Sequence, residues 1–185
     1  MSTLKQTRYV AFLRAINVGG RRVKMPALKA PFEALGLRSV STFIASGSVI
    51  FDSSEQDPQA LRASIEGALK EALGFEVETF LRTATQLQAL SEVRWFDGAE
   101  ATEGLEVNVA FVSEAVAGPA LGRVMALGQS VKALTTHDNH VAWLRRKGDR
   151  KSGIATVDLE RALGAPATVR TANTIRRIVA RFCAA

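Results

Sequence analysis

Cysteine is almost missing from this chain: Cys183 is the single thiol in 185 residues and has no internal partner for a disulfide. That fits a reducing compartment and excludes a small secreted scaffold held by disulfides. Long apolar runs are missing as well. Val107 to Val112 and Val40 to Ile44 are far shorter than the roughly 20 residues that span a bilayer, so no membrane partner is expected. Met1 to Arg8 lead straight into a strand-like segment with no apolar core or small-residue cleavage site. Export is therefore not expected, and the cytoplasm is the expected compartment. Aromatic residues make up only 6% of the chain, which assigns Trp95, Phe96 and Trp143 to the core rather than to stacking on bases. The two histidines, His137 and His140, bracket a turn without a third ligand at suitable spacing; neither a metal nor a cofactor is expected.

The apolar share of 47% supports a sizeable core. The net charge of +6 is unevenly spread: residues 1–36 carry +6, residues 37–140 carry −7 and residues 141–185 carry +7. Basic ends that converge on one face attract phosphates or acidic partners, whereas basic ends that lie apart only aid solubility.

Periodicity and breakers define the elements. Arg8 to Ile16 reads as a buried strand. Pro26 opens a helix with Leu28, Phe32 and Leu35 on one face and Gly36 as its left-handed cap. Val40 to Ala45 and Ser48 to Phe51 flank Ser46-Gly47, a hairpin connection in which Gly47 takes positive φ. Asp57-Pro58 caps a helix carrying Leu61, Ile65, Leu69 and Ala72 and ending at Gly74, and Phe75 to Leu81 returns as a strand. Thr83 caps a short helix with Leu87 and Leu90.

After an acidic stretch, Asp97 to Gly104, a second series follows: strand Leu105 to Val112, a helix from Gly118-Pro119 with Leu121, Val124 and Met125, strand Ser130 to Thr135, a turn at His137-Asp138-Asn139 and strand Val141 to Arg145. Thr156 then caps a helix through Leu159 and Leu163 that Gly164 closes. In place of a last strand, Thr171 reads as a cap for an amphipathic helix with Ile175, Ile178, Val179 and Phe182. The fold class is α+β, two successive ferredoxin-like βαββα(β) halves with antiparallel sheets and a C-terminal amphipathic helix. The expected divisions are 1–82, a helix and linker over 83–104, and 105–185. The halves share element order, with no evident residue-level repeat.

Four segments carry chemistry. Arg14 to Lys24 ends a strand in Asn17-Val18-Gly19-Gly20 and continues with Arg21, Arg22 and Lys24, so it can offer backbone N–H groups and cations to a phosphate. It matches neither nucleotide-binding glycine pattern, and a solvated connection is the competing reading. Ser46-Gly47-Ser48 lacks the setting of a nucleophilic serine and reads as a turn. Arg145, Arg146, Lys147, Arg150 and Lys151, followed by Ser152, form a basic run that suits a nucleic-acid backbone or a solvated loop. Arg170, Thr171, Asn173 and Thr174 gather at a helix start, as an anion site or as simple capping.

Arg8-Tyr9-Val10-Ala11-Phe12-Leu13-Arg14-Ala15-Ile16-Asn17-Val18-Gly19-Gly20, Val23-Lys24-Met25, Ser46-Gly47-Ser48-Val49-Ile50-Phe51 and Leu159 to Arg170 resemble the bacterial family called domain of unknown function 1697. The resemblance spans nearly the whole chain and implies an α+β, ferredoxin-like fold, without assigning an activity, cofactor or catalytic residue. Members usually carry Ser-Gly-Asn where this chain has Ser46-Gly47-Ser48, and Thr-Arg-Asn-Trp-Asn-Thr where it has Val169-Arg170-Thr171-Ala172-Asn173-Thr174. The matching polar positions Arg14, Asn17, Ser46, Ser152, Arg170, Asn173 and Thr174 are the expected site.

Three functional classes remain open. The leading one is a binding protein for a phosphate-bearing partner, RNA or DNA in the first place and a phosphorylated small molecule in the second, with basic loops beside an open sheet face. The second is a ligand sensor or enzyme with a polar cleft between the halves, and the third is an interaction module using the C-terminal helix, whose Arg176, Arg177 and Arg181 face away from its apolar stripe.

Overall fold

The computed structural model describes residues 6–17, 22–43, 47–97, 104–149 and 152–183. The chain forms two compact units, Met1–Gln88 with Ile178–Ala185, and Ala89–Arg177. Among the described residues no helix is long and apolar enough to cross a membrane.

In the first unit, strands β1 (Thr7–Leu13), β2 (Arg38–Phe43), β3 (Ser48–Ser53) and β4 (Thr79–Thr83) form one antiparallel sheet in the order β2-β3-β1-β4. Helix α1 (Met25–Ala34) lies between β1 and β2, and α2 (Pro58–Leu73) between β3 and β4. Strand-register partners share a face. Tyr9, Ala11, Leu13, Val49 and Phe51 form one face and pack with Leu28 and Phe32 of α1 and Leu61, Ile65 and Leu69 of α2. Local chemistry agrees with this packing. Asp57 caps α2 by accepting from the Gln59 N–H at 2.8 Å, and Gly74 ends it with φ +76°.

The second unit repeats the order. Strands β5 (Leu105–Phe111), β6 (Leu134–His137), β7 (His140–Arg146) and β8 (Thr168–Thr171) form the sheet β6-β7-β5-β8, with α4 (Gly118–Ala126) and α5 (Thr156–Leu163) between them. Its core joins Ala110, Val112, Val141 and Trp143 with Val124 of α4 and Leu159 and Ala162 of α5. In both halves a helix follows the last strand, α3 (Ala84–Glu92) and α6 (Ala172–Ile178), the latter continuing as a π-turn over Val179–Cys183. The boundary between units falls inside α3 and again inside α6.

Several expectations change. A last strand does exist in the second half: Thr168–Thr171 pairs with β5, with Arg170 opposite Val109. Thr171 still caps α6, its Oγ1 accepting from the Thr174 N–H at 3.1 Å. Strand β4 begins at Thr79 rather than Phe75, and β6 begins at Leu134 rather than Ser130, which instead ends a 3₁₀ turn. The α5 cap is Ala155, one residue before Thr156. Leu35 and Met125, expected in apolar stripes, are 40% and 45% exposed.

The repeat also reaches individual residues. Val10-Ala11-Phe12 of β1 and Val109-Ala110-Phe111 of β5 occupy equivalent registers, and the residue before each triplet, Tyr9 or Asn108, pairs with Thr83 or Thr171. Val10 pairs with Arg82, and Val109 with Arg170. Ala84 and Ala172 follow, and Thr83 caps α3 as Thr171 caps α6, its Oγ1 accepting from the Gln86 N–H at 3.2 Å.

Val10, Phe12, Ile50 and Phe80 in the first sheet, and Val109, Phe111 and Ala142 in the second, form the faces turned away from α1/α2 and α4/α5, and all are buried. Each of these faces also carries a buried arginine, Arg82 opposite Val10 and Arg170 opposite Val109.

Candidate functional site

Arg14 sits just past β1, and its guanidinium pairs with Glu78 at 2.9 Å. Asn17 closes the loop after the strand, its Oδ1 accepting from the Val23 N–H at 2.9 Å. Arg22 and Lys24 are exposed. Gly19, Gly20, Arg21, Ser46, Arg150 and Lys151 lie outside the described residues.

The other expected site residues belong to the second unit. Arg145 is held by Glu106 on the neighbouring strand, with Nε donating to Oε1 at 2.7 Å, whereas Arg146 and Lys147 are exposed. Ser152 Oγ accepts from the Arg146 N–H at 3.0 Å and donates to the Asp149 carbonyl at 2.9 Å, which ties off the turn after β7. Arg170 is only 7% exposed. It donates to Thr168 Oγ1 and to the Val169 carbonyl at 2.9 and 2.8 Å. Burial lowers its pKa to about 10, and Arg82 at the matching register behaves alike. Thr174 is engaged with Thr171, and Asn173 is exposed. The structure therefore joins Arg146 with Ser152 and Thr171 with Thr174, and most of these polar groups serve local turns and caps.

A cleft that the sequence did not reveal lies in the first unit, between the end of α1, the start of β2, the end of β3 and α2. It encloses about 650 Å³. Gly36, with φ +76°, turns the chain out of α1 and leaves Leu35 and Leu37 on the cleft wall. The β2–β3 register then shifts between Arg38 and Ser41, with Ser39 in the left-handed region at φ +51°. Such a bulge re-aims side chains at a sheet edge, and a left-handed serine stores backbone strain. Arg38 lines the cleft together with Ser53, Ser54 and Ser64; Ser53 Oγ accepts from the Glu55 N–H at 3.1 Å and Ser64 Oγ donates to the Ala60 carbonyl at 3.0 Å. The Arg38 guanidinium has no hydrogen-bond or ion-pair partner among the described residues.

Asp52, opposite Arg38 in the strand register and also on the cleft wall, does not neutralise it. Asp52 is engaged by Arg8 through two bonds, Nε to Oδ1 at 2.7 Å and Nη2 to Oδ2 at 2.9 Å. Glu55 spends Oε1 on the Asp57 N–H at 2.9 Å. The Arg8 hydrogen bond, followed by that of Ser39, holds the Asp52 carboxyl below its ordinary pKa despite partial burial. A depressed carboxylate stabilises the folded state above its unfolded pKa, and the contribution disappears as pH falls through the folded value. In urea unfolding measured from pH 7 to pH 2, Asp52→Asn is accordingly less stable than wild type near neutrality, and the gap closes towards pH 2. A gap independent of pH would remove the ion pair as its cause.

The sequence matches the family described as protein of unknown function DUF1697 over residues 6–141. The chain belongs to this family. A search of curated proteins finds no match. Among solved structures, the conserved bacterial protein SP0830 from Streptococcus pneumoniae shares 24% identity, with a TM-score of 0.70 over 95% of this chain and 98% of that one. The likeness shows that the two proteins have the same fold. For this DUF1697 chain, function is therefore to be sought in its own side chains, first among them the unpartnered guanidinium in the cleft.

Proposed function

We propose that this protein binds a small polar molecule carrying a phosphate or carboxylate group in the cleft of the first unit. The observation that carries the reading is Arg38, a cation without a counter-ion among the described residues that lines a cavity of about 650 Å³. The cavity is within the size range of ligand sites. A guanidinium presents a fork of donors that fits such an anion bidentately. Ser53, Ser54 and Ser64 also line the cleft, and a serine hydroxyl keeps acceptor capacity for hydroxyl groups on the rest of the ligand.

Calorimetric titration with glycerol phosphate, a hexose phosphate and a sugar acid tests this. At least one binds, and Arg38→Ala weakens it about 10–100-fold, the loss expected for a hydrogen-bonded charge. Unchanged affinity in the variant overturns the proposal.

A second reading rests on four exposed cations, Arg22, Lys24, Arg146 and Lys147, in the two basic ends of the chain. They would contact a nucleic-acid backbone, so single-stranded RNA is the comparison ligand in the same titrations. Binding that weakens steeply with salt favours this reading over the cleft, provided that replacing Arg146 and Lys147 reduces the slope by roughly 0.7 for each phosphate they neutralise.

A further inference from the structure

Three charged residues stand in one row across the first sheet. The strand register sets Arg8 of β1 opposite Asp52 of β3, and Asp52 opposite Arg38 of β2. Residues opposite each other on paired strands share a face, with Cβ atoms about 4.5–5.5 Å apart. The Asp52 carboxylate therefore has a guanidinium on either side, and it can complete a two-bond fork with only one of them. It goes to Arg8, accepting from Nε at 2.7 Å and from Nη2 at 2.9 Å, and Arg38 is left on the cleft wall without a partner among the described residues.

The end of the chain accounts for this choice. The remaining arm of Arg8, Nη1, donates to the Phe182 carbonyl at 3.0 Å. That carbonyl is itself anchored: the Phe182 ring packs edge-on against Phe43 of β2, and the next carbonyl, that of Cys183, accepts from Gln88 at 2.6 Å. All three nitrogens of Arg8 are thus engaged in one rotamer, although its side chain is 39% exposed. Arg38 has no comparable anchor among the described residues, and it stands where the β2–β3 register shifts beside left-handed Ser39.

We infer that Arg8 is a positioning residue for the cleft: it keeps the Asp52 carboxylate off Arg38 and so leaves that guanidinium open to a phosphate or carboxylate. This role rests on the cleft's being an anion site, and it adds what governs the affinity there. Without Arg8 the carboxylate turns to Arg38, and an incoming anion has to displace a fixed one. Glu55, the other acid on the cleft wall among the described residues, lies beyond the end of β3 and outside this row.

The Asp52 carboxyl reports the transfer without any ligand. Its ¹³C resonance, assigned by its loss in Asp52→Asn, is titrated with acid in the wild-type chain and three variants. Arg38→Ala leaves the midpoint nearly unchanged, because Arg8 holds the carboxylate. Arg8→Ala keeps the midpoint below the ordinary carboxylate range, because Arg38 takes over, and Arg8→Ala/Arg38→Ala returns it to that range. Equal midpoints in Arg8→Ala and Arg8→Ala/Arg38→Ala overturn the inference. Binding of inorganic phosphate, followed through the amide shifts of Gly36 and Leu37, is the second readout. Arg8→Ala weakens it about tenfold, the size of one charge-assisted hydrogen bond. Arg8→Ala/Asp52→Asn restores it, although this chain also lacks the ion pair. Binding that stays weak in Arg8→Ala/Asp52→Asn makes Arg8 a structural residue only and likewise overturns the inference. A wild-type chain that binds neither phosphate nor any of the three ligands named above overturns the cleft reading instead, while the carboxyl midpoints still decide whether Arg8 keeps Asp52 from Arg38.

Discussion

Replacing Phe51 with alanine lowers the stability of the first unit by about 3–5 kcal/mol. Phe51 is completely buried on β3, the strand that pairs with both β1 and β2. Its ring stacks on Tyr9 at a centroid distance of 5.8 Å and meets Phe32 of α1 at 5.3 Å. Truncation leaves a cavity bounded by two rings that cannot both close on it, because each is fixed to a different element. Urea unfolding followed by far-UV circular dichroism measures the loss, and Phe51→Leu retains most of the stability. A cost below about 1 kcal/mol for the alanine variant would show that the α1–β3 contact relaxes freely, contrary to the close packing of protein cores.

Gly47→Ala is the second large effect, about 2–4 kcal/mol by the same measurement. Gly47 has φ +75°, a conformation that costs other residues about 1 kcal/mol. The added Cβ would also stand 3.2 Å from Ile16 Cγ1 and 3.4 Å from Leu13 Cβ. Both neighbours are at most 2% exposed and cannot retreat into solvent, so overpacking adds about 1–3 kcal/mol. The Gly47 carbonyl accepts from the Leu13 N–H at 2.8 Å, so a shift of this backbone also loosens the end of β1. Gly36→Ala is the control: φ is +76° but nothing lies within 4 Å of the added carbon, leaving only the backbone cost of about 1 kcal/mol. Equal losses in the two variants would rule out the contact with Ile16 as the cause.

These glycines mark where local chemistry was legible. Gly36, Gly47, Gly74 and Gly164 all have the positive φ that their places after apolar stripes or at a hairpin demanded, and the Asp57 cap formed as its spacing implied. Strand β8 was not legible, because four residues with Thr at both ends and Arg between them read equally well as a capping segment. Arg170 enters the buried face only through its pairing with Val109, a relation between distant parts of the chain. The residue-level repeat is hidden for a similar reason: its two short motifs are separated by unequal lengths in the two halves, and only strand register aligns them.

The cleft of the first unit was hidden by Ser39. A left-handed glycine or asparagine announces itself, but a serine there does not. Arg38 consequently stands in the sequence as one isolated cation in the acidic middle of the chain. The basic runs are far more conspicuous, yet several of their members are engaged in pairs or turns.

The return of the chain end to the first unit has a consequence for biosynthesis. Arg8 donates to the Phe182 carbonyl across 174 residues, Gln88 donates to the Cys183 carbonyl, and the Phe182 ring meets Phe43 edge-on at 5.9 Å. On the ribosome, β1 to β4 emerge well before these partners exist, and at about 5–20 residues per second the wait is roughly 5–20 s. The second unit, continuous in sequence from Ala89 to Arg177, has no such wait and can close as soon as it emerges. The half made first is thus finished last, and during that interval chaperones have access to a nascent sheet whose closing segment has yet to be translated.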